Sequence, residues 1–284
     1  MSSPKEAVKR GFAAAVERLP RGVASRRLIL CYHSIHPSLP FASASPELFV
    51  QHLGWLEEHA DVVPLAEIRS RSTRGRPLVA ITFDDGYEDN CTEALPLLRE
   101  RRMTATFFVT TGLIARDEAV VRRFSDTLRR CRPDEVRPLS WTQLQEMHAA
   151  GAVIGAHTYS HPNLARLTAD EIFLELRRSK EMLEDSLGIA VGDLAYPFGR
   201  PRRHISPAAV EAAVAVGFER AVATVTRDIR DGDSDFQLPR IVVTRDNVDT
   251  LRQKVNGAWD YLGWWQERAP LWAVDAMRPG DAHF

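Results

Sequence analysis

The chain has 284 residues, of which 44% are hydrophobic and 26% are charged. This composition is close to the average of globular proteins and excludes a disordered chain, a fibrous repeat and a polytopic membrane protein. Because 37 Lys and Arg face 38 Asp and Glu, the net charge of −1 gives no general attraction to polyanions, and we expect no nucleic-acid partner.

The N-terminal segment, residues 1–25, is predicted to be a helical extension. Its apolar run is broken by Glu17 and Arg18, whereas a signal peptide needs a longer apolar region followed by a cleavage site. The three cysteines, Cys31, Cys91 and Cys131, form neither a CxxC pair nor a disulfide framework. We therefore expect a cytoplasmic location, with attachment to a membrane surface left open.

Residues 26–258 show short apolar runs that alternate with longer helical patterns. The runs are hydrophobic throughout, as in parallel strands buried on both faces, and they predict strands at 28–33, 78–83, 105–110, 153–157, 194–198, 221–225 and 240–244. Start and stop signals predict helices at 46–59, 90–101, 141–150, 168–187 and 207–216, with a weakly periodic insertion at 112–139. This order favours a single α/β domain folded as a (β/α) barrel, with an open doubly wound sheet as the alternative.

The C-terminal segment, residues 259–284, is predicted to be a tryptophan-rich tail. It holds four of the six tryptophans, namely Trp259, Trp264, Trp265 and Trp272. Aromatic faces suit sugar stacking or a membrane interface. We favour a helix that docks on the barrel through these side chains, because Trp is highly buried on average.

Ionisable side chains gather at the predicted strand ends. His33 ends the first strand, Asp84 and Asp85 follow the second, and His157 ends the fourth, with His161 four residues further on. Because the carboxyl ends of parallel strands meet at one edge, we expect these five side chains to share a site.

The carboxylate pair and the histidine pair are each ambiguous alone. An Asp-Asp-Gly sequence is also an ordinary turn, and Pro162 disfavours a helix through the two histidines, so this pair is expected on a loop. Together they supply two imidazoles and a carboxylate with an open fourth position, as in catalytic zinc sites. A divalent cation also offsets the repulsion between two adjacent buried carboxylates.

Three segments together resemble the motifs of the polysaccharide deacetylases, carbohydrate esterase family 4. They are TFDDGYED, the HTYSH loop and LAYPFG, and the resemblance extends over about residues 28–244. It implies a distorted (β/α)7 barrel that uses zinc or another divalent metal. Members remove acetyl groups from N-acetylated sugars such as those of chitin, peptidoglycan and biofilm poly-N-acetylglucosamine.

The resemblance also implies a role for each matching residue. Asp84 would be the general base, Asp85, His157 and His161 the metal ligands, and Phe198 the backbone N–H donor to the oxyanion. The segment CYHSIH resembles the YH motif of the branch that acts on biofilm polysaccharide, in which the early histidine supplies the general acid, here His33. Tyr196 and Trp141 are expected to contact the substrate.

Two departures from the family pattern concern the general base and the acceptor subsites. Ala195 stands where members have the arginine that steadies the base, so Arg240 is the best substitute and Arg200 the second. The D-x-x-D-W motif is absent, and Asp228, Asp231 and Asp235 are interpreted as a solvated acidic loop.

The resemblance therefore implies removal of N-acetyl groups from an N-acetylhexosamine-containing saccharide, which could be a free sugar, an oligosaccharide or a lipid-linked precursor. We expect one divalent cation, Zn²⁺ first and Co²⁺, Ni²⁺ or Mn²⁺ as alternatives. Two other functions stay open: hydrolysis of a non-sugar C–N bond in a cyclic amide or formamide, and a catalytically silent barrel that binds carbohydrate. The oligomeric state is also left open.

Overall fold

Seven parallel strands close into a barrel in the computed structural model, which describes residues 23–128 and 133–268. The sheet has one further strand, β2, at its edge. In chain order the eight strands are β1 (Arg27–Tyr32), β2 (Asp61–Val62), β3 (Leu78–Phe83), β4 (Ala105–Val109), β5 (Val153–Ala156), β6 (Asp193–Ala195), β7 (Arg220–Thr224) and β8 (Leu238–Val242). The ring runs β1–β8–β7–β6–β5–β4–β3, and β3 pairs with all six residues of β1. The predicted barrel is confirmed, and the open sheet is excluded by this pairing.

The strand β2 was not predicted, because two residues are too few to show a pattern. It pairs with the start of β3 and is not a member of the ring. Several predicted strands end one to three residues too late. The strand β6 stops at Ala195, since Pro197 has no N–H to donate and Phe198 adopts a left-handed φ of 60°.

Helices cover the outside of the barrel. In chain order they are α1 (Pro46–His59), α2 (Leu95–Glu100), α3 (Thr111–Ile114), α4 (Glu118–Thr127), α5 (Trp141–Ala149), α6 (Ala169–Leu187), α7 (Pro207–Val216), α8 (Val248–Val255) and α9 (Asp260–Arg268). The predicted bounds of α1 and α7 agree at both ends, because each begins with a serine cap followed by proline. The predicted helix 90–101 instead begins with a π-helical turn at Asn90–Ala94.

Alternate strand residues pack into two separate apolar clusters. Residues such as Leu30, Phe83 and Phe107 pack outward against the helices. A smaller cluster, which includes Ile29 and Phe108, fills the barrel interior. This alternation is the period-two geometry of strands, and it decides which side chains face the pocket at the carboxyl ends of the strands.

The helix α9 belongs to the described part of the predicted tail and packs beside the segment that follows β7. Its Gln266 accepts a hydrogen bond from the Thr226 N–H, and Glu267 forms an ion pair with Arg227. Trp259 is buried in a small cluster with Ala258 and Leu262, whereas Trp264 is 54% exposed. Trp272 and residues 1–22 lie outside the described residues.

Within residues 23–128 and 133–268, no helix combines the length and the apolar character needed to cross a bilayer.

Candidate metal centre

The turn after β3 carries two adjacent carboxylates. Asp85 and Gly86 have left-handed φ values of 74° and 80°, which break the strand geometry just after Asp84. Both carboxylates consequently line the same pocket, although neighbouring side chains of a strand point to opposite faces. A Cβ at position 86 would lie 3.0 Å from Val109 Cγ1, so glycine suits this turn.

The loop after β5 carries the two histidines. Its Thr158 and His161 have φ values of 64° and 55°, so the segment is a loop, as Pro162 predicted. Glu175 of α6 holds it in place by accepting hydrogen bonds from the backbone N–H groups of Tyr159 and Ser160 at 3.1 and 2.9 Å. Left-handed residues other than glycine cost free energy, and they cluster at functional sites.

Asp85, His157 and His161 converge on one point. Asp85 Oδ1 lies 3.5 Å from Nε2 of each histidine, and the three ligand atoms lie within 4.8 Å of one another. His157 Nδ1 donates to the Ala195 carbonyl at 2.7 Å, which orients the ring with Nε2 toward Asp85.

The donor set fits a divalent cation. Asp85 Oδ1 is buried and has no hydrogen-bond partner among the residues that the structure describes. Leaving a charged oxygen in that state is costly, and a cation would remove the cost. One carboxylate and two imidazoles are also the ligands that catalytic zinc takes.

The two histidines differ in the protons they carry. Burial lowers the pKa of His161 to about 4, so its imidazole is neutral at pH 7. Burial would also lower the pKa of His157, but the carboxylates of Asp84 and Asp85 raise it above the ordinary value. A cation at this site must therefore displace a proton from His157 but not from His161.

We expect binding of the first Zn²⁺ equivalent at pH 6 to release about one proton per chain. At that pH His157 is protonated and His161 is not, and a raised pKa means that affinity falls as the pH is lowered further. Calorimetric titration in two buffers of different ionisation enthalpy measures this number. Release of two protons would contradict the low pKa of His161, and release of none would contradict the raised pKa of His157.

Asp84 is paired with a fully buried arginine from β8. Arg240, 1% exposed, donates from Nη1 and Nη2 to the two carboxylate oxygens of Asp84, both at 2.7 Å. Burial would raise the pKa of Asp84, but the positive charges of Arg240 and His157 hold it well below the ordinary range. Of the two arginines proposed from the sequence, Arg240 is the one that reaches Asp84. Asp84 therefore stays ionised and correctly oriented at neutral pH.

His33 lies one residue beyond β1, in the same pocket as Asp84. Its backbone N–H donates to Ser43 Oγ at 2.9 Å, and its carbonyl accepts from Asn90 Nδ2 at 2.8 Å. Burial lowers the pKa of its imidazole from the ordinary 6.5, against the raising effect of both carboxylates. Hydrogen bonds thus hold both the N–H and the carbonyl of His33, and its side chain lies in the pocket with Asp84, the predicted base.

The three remaining predicted residues are placed differently. Phe198 and Tyr196 line the pocket, and the Phe198 ring contacts the His161 ring at 4.8 Å between centroids. Trp141 is half-buried against the outer core and is not among the described residues that line the pocket. The structure does not bring Trp141 to this site, and its contact with substrate stays a prediction.

An apolar wall of the pocket was not predicted. It consists of Phe41, Tyr87, Phe124 and Leu128, which pack together as a cluster separate from the barrel core. The Phe41 and Tyr87 rings are stacked at 5.3 Å, and Phe124 meets His161 edge to face at 5.2 Å. The i, i+4 spacing of Val120 and Phe124 in the weakly periodic insertion was the available signal.

Gly199 holds the predicted oxyanion donor in position. Its φ is 62°, and a Cβ there would lie 2.5 Å from Thr224 Oγ1 and 2.9 Å from Thr224 N. We expect Gly199→Ala to lower the free energy of unfolding by about 1–3 kcal/mol, because both the φ and the contact are strained. Denaturant unfolding measures this change. Gly232→Ala is the matched control, since nothing lies within 4 Å of a Cβ there, and an equal loss in the two variants would contradict the account.

Comparisons with known proteins agree with the fold and with the predicted family. A family model for polysaccharide deacetylase matches residues 71–220, more than half of the chain. YxkH of Bacillus subtilis (strain 168) is 26% identical over 205 residues, which cover 70% of this chain and 66% of YxkH. A poly-β-1,6-N-acetyl-D-glucosamine N-deacetylase of Staphylococcus aureus (strain MRSA252) is 25% identical over 228 residues, covering 76% of this chain and 72% of its own.

Solved structures give the same result. IcaB from Ammonifex degensii superposes with a TM-score of 0.68 and 26% identity, covering 83% of this chain and 97% of that one. The Streptococcus pyogenes deacetylase PplD in complex with acetate has a TM-score of 0.66 and 23% identity, and it covers 82% of this chain and 99% of its own; at this identity the likeness shows the fold alone. On the match of the family model to more than half of its length, the chain belongs to the polysaccharide deacetylase family.

Proposed function

We propose that the protein is a divalent-metal-dependent N-deacetylase that acts on an N-acetylhexosamine-containing saccharide. The observation that carries this proposal is the pairing of two unlike carboxylates in one pocket. Asp84 is ionised and held by Arg240, whereas Asp85 Oδ1 faces the Nε2 atoms of two imidazoles. One carboxylate is thus placed to move a proton and the other to hold a cation.

Asp85, His157 and His161 would hold the cation, and Zn²⁺ suits this donor set best. When bound, a divalent cation supplies Lewis acidity toward a water and a carbonyl oxygen. Co²⁺, Ni²⁺ and Mn²⁺ also accept imidazole and carboxylate ligands and are the alternatives.

The residues of the chain perform the proton transfers. Asp84 accepts a proton from the water that attacks the acetamide carbonyl, and the Phe198 N–H donates to the oxygen on which negative charge develops. His33 delivers a proton to the departing amine, because an amide anion is a poor leaving group. The lowered pKa of His33 makes its protonated form a stronger acid than an ordinary imidazolium, and the rate is expected to fall as the pH rises through that pKa.

The pocket supports a neutral sugar as the substrate. The wall of Phe41, Tyr87, Phe124 and Leu128 offers apolar surface to a sugar ring or an acetyl methyl group. The Staphylococcus relative is named for its action on poly-β-1,6-N-acetyl-D-glucosamine. We therefore place N-acetylglucosamine first among the candidate sugars, in a free, oligomeric or lipid-linked form.

A release assay tests the proposal. Zn²⁺-loaded protein is incubated separately with each candidate substrate. The sugars are β-1,6-linked and β-1,4-linked N-acetylglucosamine oligomers and a lipid-linked N-acetylglucosamine, and the non-sugar candidates are a cyclic imide and a formamide. We expect acetate from at least one sugar, and loss of that activity with chelator. Turnover of the imide or the formamide alone would favour the non-sugar alternative. Binding of sugar without acetate release would favour the silent barrel. Either of these two results, non-sugar turnover alone or sugar binding without release, would contradict the proposal.

A further inference from the structure

A second group of metal-ligating side chains lies in the same pocket. It consists of Cys31, His33 and Asp84, whose ligand atoms lie within 4.8 Å of one another. The Cys31 thiol donates to Asp84 Oδ2 at 3.5 Å. These residues share no member with the Asp85, His157 and His161 group, so the pocket contains two adjacent ligand sets.

The pairing of β1 with β3 creates this second group. In the parallel register Cys31 lies beside Thr82 and Tyr32 beside Phe83, so His33 and Asp84 follow at the same level. Leu30 and Tyr32 pack in the outer core. Cys31 is buried, faces the other way and lines the pocket.

We propose that Cys31, His33 and Asp84 form a second, thiophilic cation site that takes Zn²⁺ or Cd²⁺ in excess over the first equivalent. A thiolate, an imidazole and a carboxylate suit these ions. Binding forms a metal–sulfur bond and breaks the S–H bond of Cys31, and the released proton passes to solvent. Ligand atoms around a tetrahedral zinc lie about 3–4 Å apart, given bond lengths of about 2.0–2.3 Å, so the three side chains need only a small inward movement.

The second site is weaker than the first. The guanidinium of Arg240 already donates to both oxygens of Asp84, and its positive charge opposes an incoming cation. A cation in the first site adds further repulsion at short distance. The second site therefore fills only after the first, when the metal is in excess.

Filling the second site inhibits the enzyme, a consequence that rests on the proposed function. A cation there occupies Asp84, the predicted base, together with His33, the predicted acid. We expect excess Zn²⁺ to inhibit acetate release. Cys31→Ser should raise the inhibitory Zn²⁺ concentration at least tenfold over that of the wild type, when inhibition of each protein is measured against its own uninhibited rate.

Cadmium absorption tests the site without any activity measurement. In a Cys91→Ser/Cys131→Ser background, Cys31 is the single remaining thiol of the sequence. This protein, loaded with one equivalent of Zn²⁺, is titrated with Cd²⁺ and followed by the ultraviolet charge-transfer absorption of a cadmium–thiolate bond. We expect the band to saturate at one Cd²⁺ per chain. Absence of the band contradicts the proposal.

Two variants assign the band to this group. Adding Cys31→Ser to the same background is expected to abolish it, whereas His33→Gln keeps the thiol and is expected to weaken Cd²⁺ binding at least tenfold. A band that survives Cys31→Ser, or Cd²⁺ binding unchanged in His33→Gln, overturns the proposal. Because the band requires no turnover, a protein that shows it but releases no acetate refutes the proposed function and leaves the second site standing.

Discussion

Replacing Asp84 with asparagine is expected to lower kcat for acetate release by on the order of 10²–10⁴-fold, the usual contribution of general acid–base catalysis. Asparagine has nearly the same shape but cannot accept the proton of the attacking water. Asp85, His157 and His161 are unchanged, so the variant should keep its first equivalent of Zn²⁺. Steady-state kinetics and metal analysis on the same preparation measure both effects.

Stability must be measured in parallel, because Asp84→Asn leaves the Arg240 guanidinium buried without a counter-charge. Breaking a buried ion pair from one side costs about 3–5 kcal/mol. The double variant Asp84→Asn/Arg240→Met removes both charges and should regain much of that loss while it remains inactive. Near-native kcat in a folded, Zn²⁺-loaded Asp84→Asn protein would contradict the role of Asp84 as base.

Replacing Arg240 with glutamine is expected to lower the free energy of unfolding by about 3–5 kcal/mol at neutral pH, because it leaves the Asp84 carboxylate buried and unpaired. In the native protein the pKa of Asp84 is held below the ordinary range. That shift stabilises the fold above the unfolded pKa of about 4, and the stabilisation is lost as the pH falls toward the folded pKa. The difference between the two proteins should therefore be largest at neutral pH and shrink below pH about 4.

The same substitution also changes the activity profile. Without Arg240 the pKa of Asp84 rises, so the acid limb of the pH–rate profile moves to higher pH. Arg227→Gln is the matched control, since it breaks a buried ion pair with Asp233 and Glu267 that does not line the pocket. A pH–rate profile unchanged in Arg240→Gln, or shifted equally in Arg227→Gln, would refute the coupling of Arg240 to Asp84.

Much of the barrel could be predicted from the sequence, because its strands are buried on both faces and show as continuous apolar runs. The pairing of β1 with β3 that closes the barrel has no local signal, however, since it joins residues about 50 positions apart in the chain. The predicted strands also extend too far at their carboxyl ends. His157 and Phe198 directly follow apolar residues in the sequence, but they lie in loops whose backbone is set by tertiary contacts that a local pattern does not show.

The candidate site could be predicted where its residues adjoin strand ends. Asp84, Asp85, His33 and His157 meet because parallel strands end at one edge. Phe124 and Leu128 could not be placed in this way, since they reach the pocket from α4 and its C-terminal cap and not from the end of a strand. The contact between Cys31 and Asp84 was not predicted, because nothing in the neighbouring sequence shows which face of the strand a single cysteine in an apolar run points to.

Titration of the chelator-stripped protein with Zn²⁺ tests the metal centre most directly. We expect one tight equivalent per chain, and Asp85→Ala and His161→Ala should each weaken that equivalent by on the order of 100-fold or more, since each removes one of three ligands. Cys31→Ser should leave this first equivalent in place. A wild-type protein that binds no tight Zn²⁺, or one whose first equivalent is unaffected by both ligand substitutions, would contradict the account.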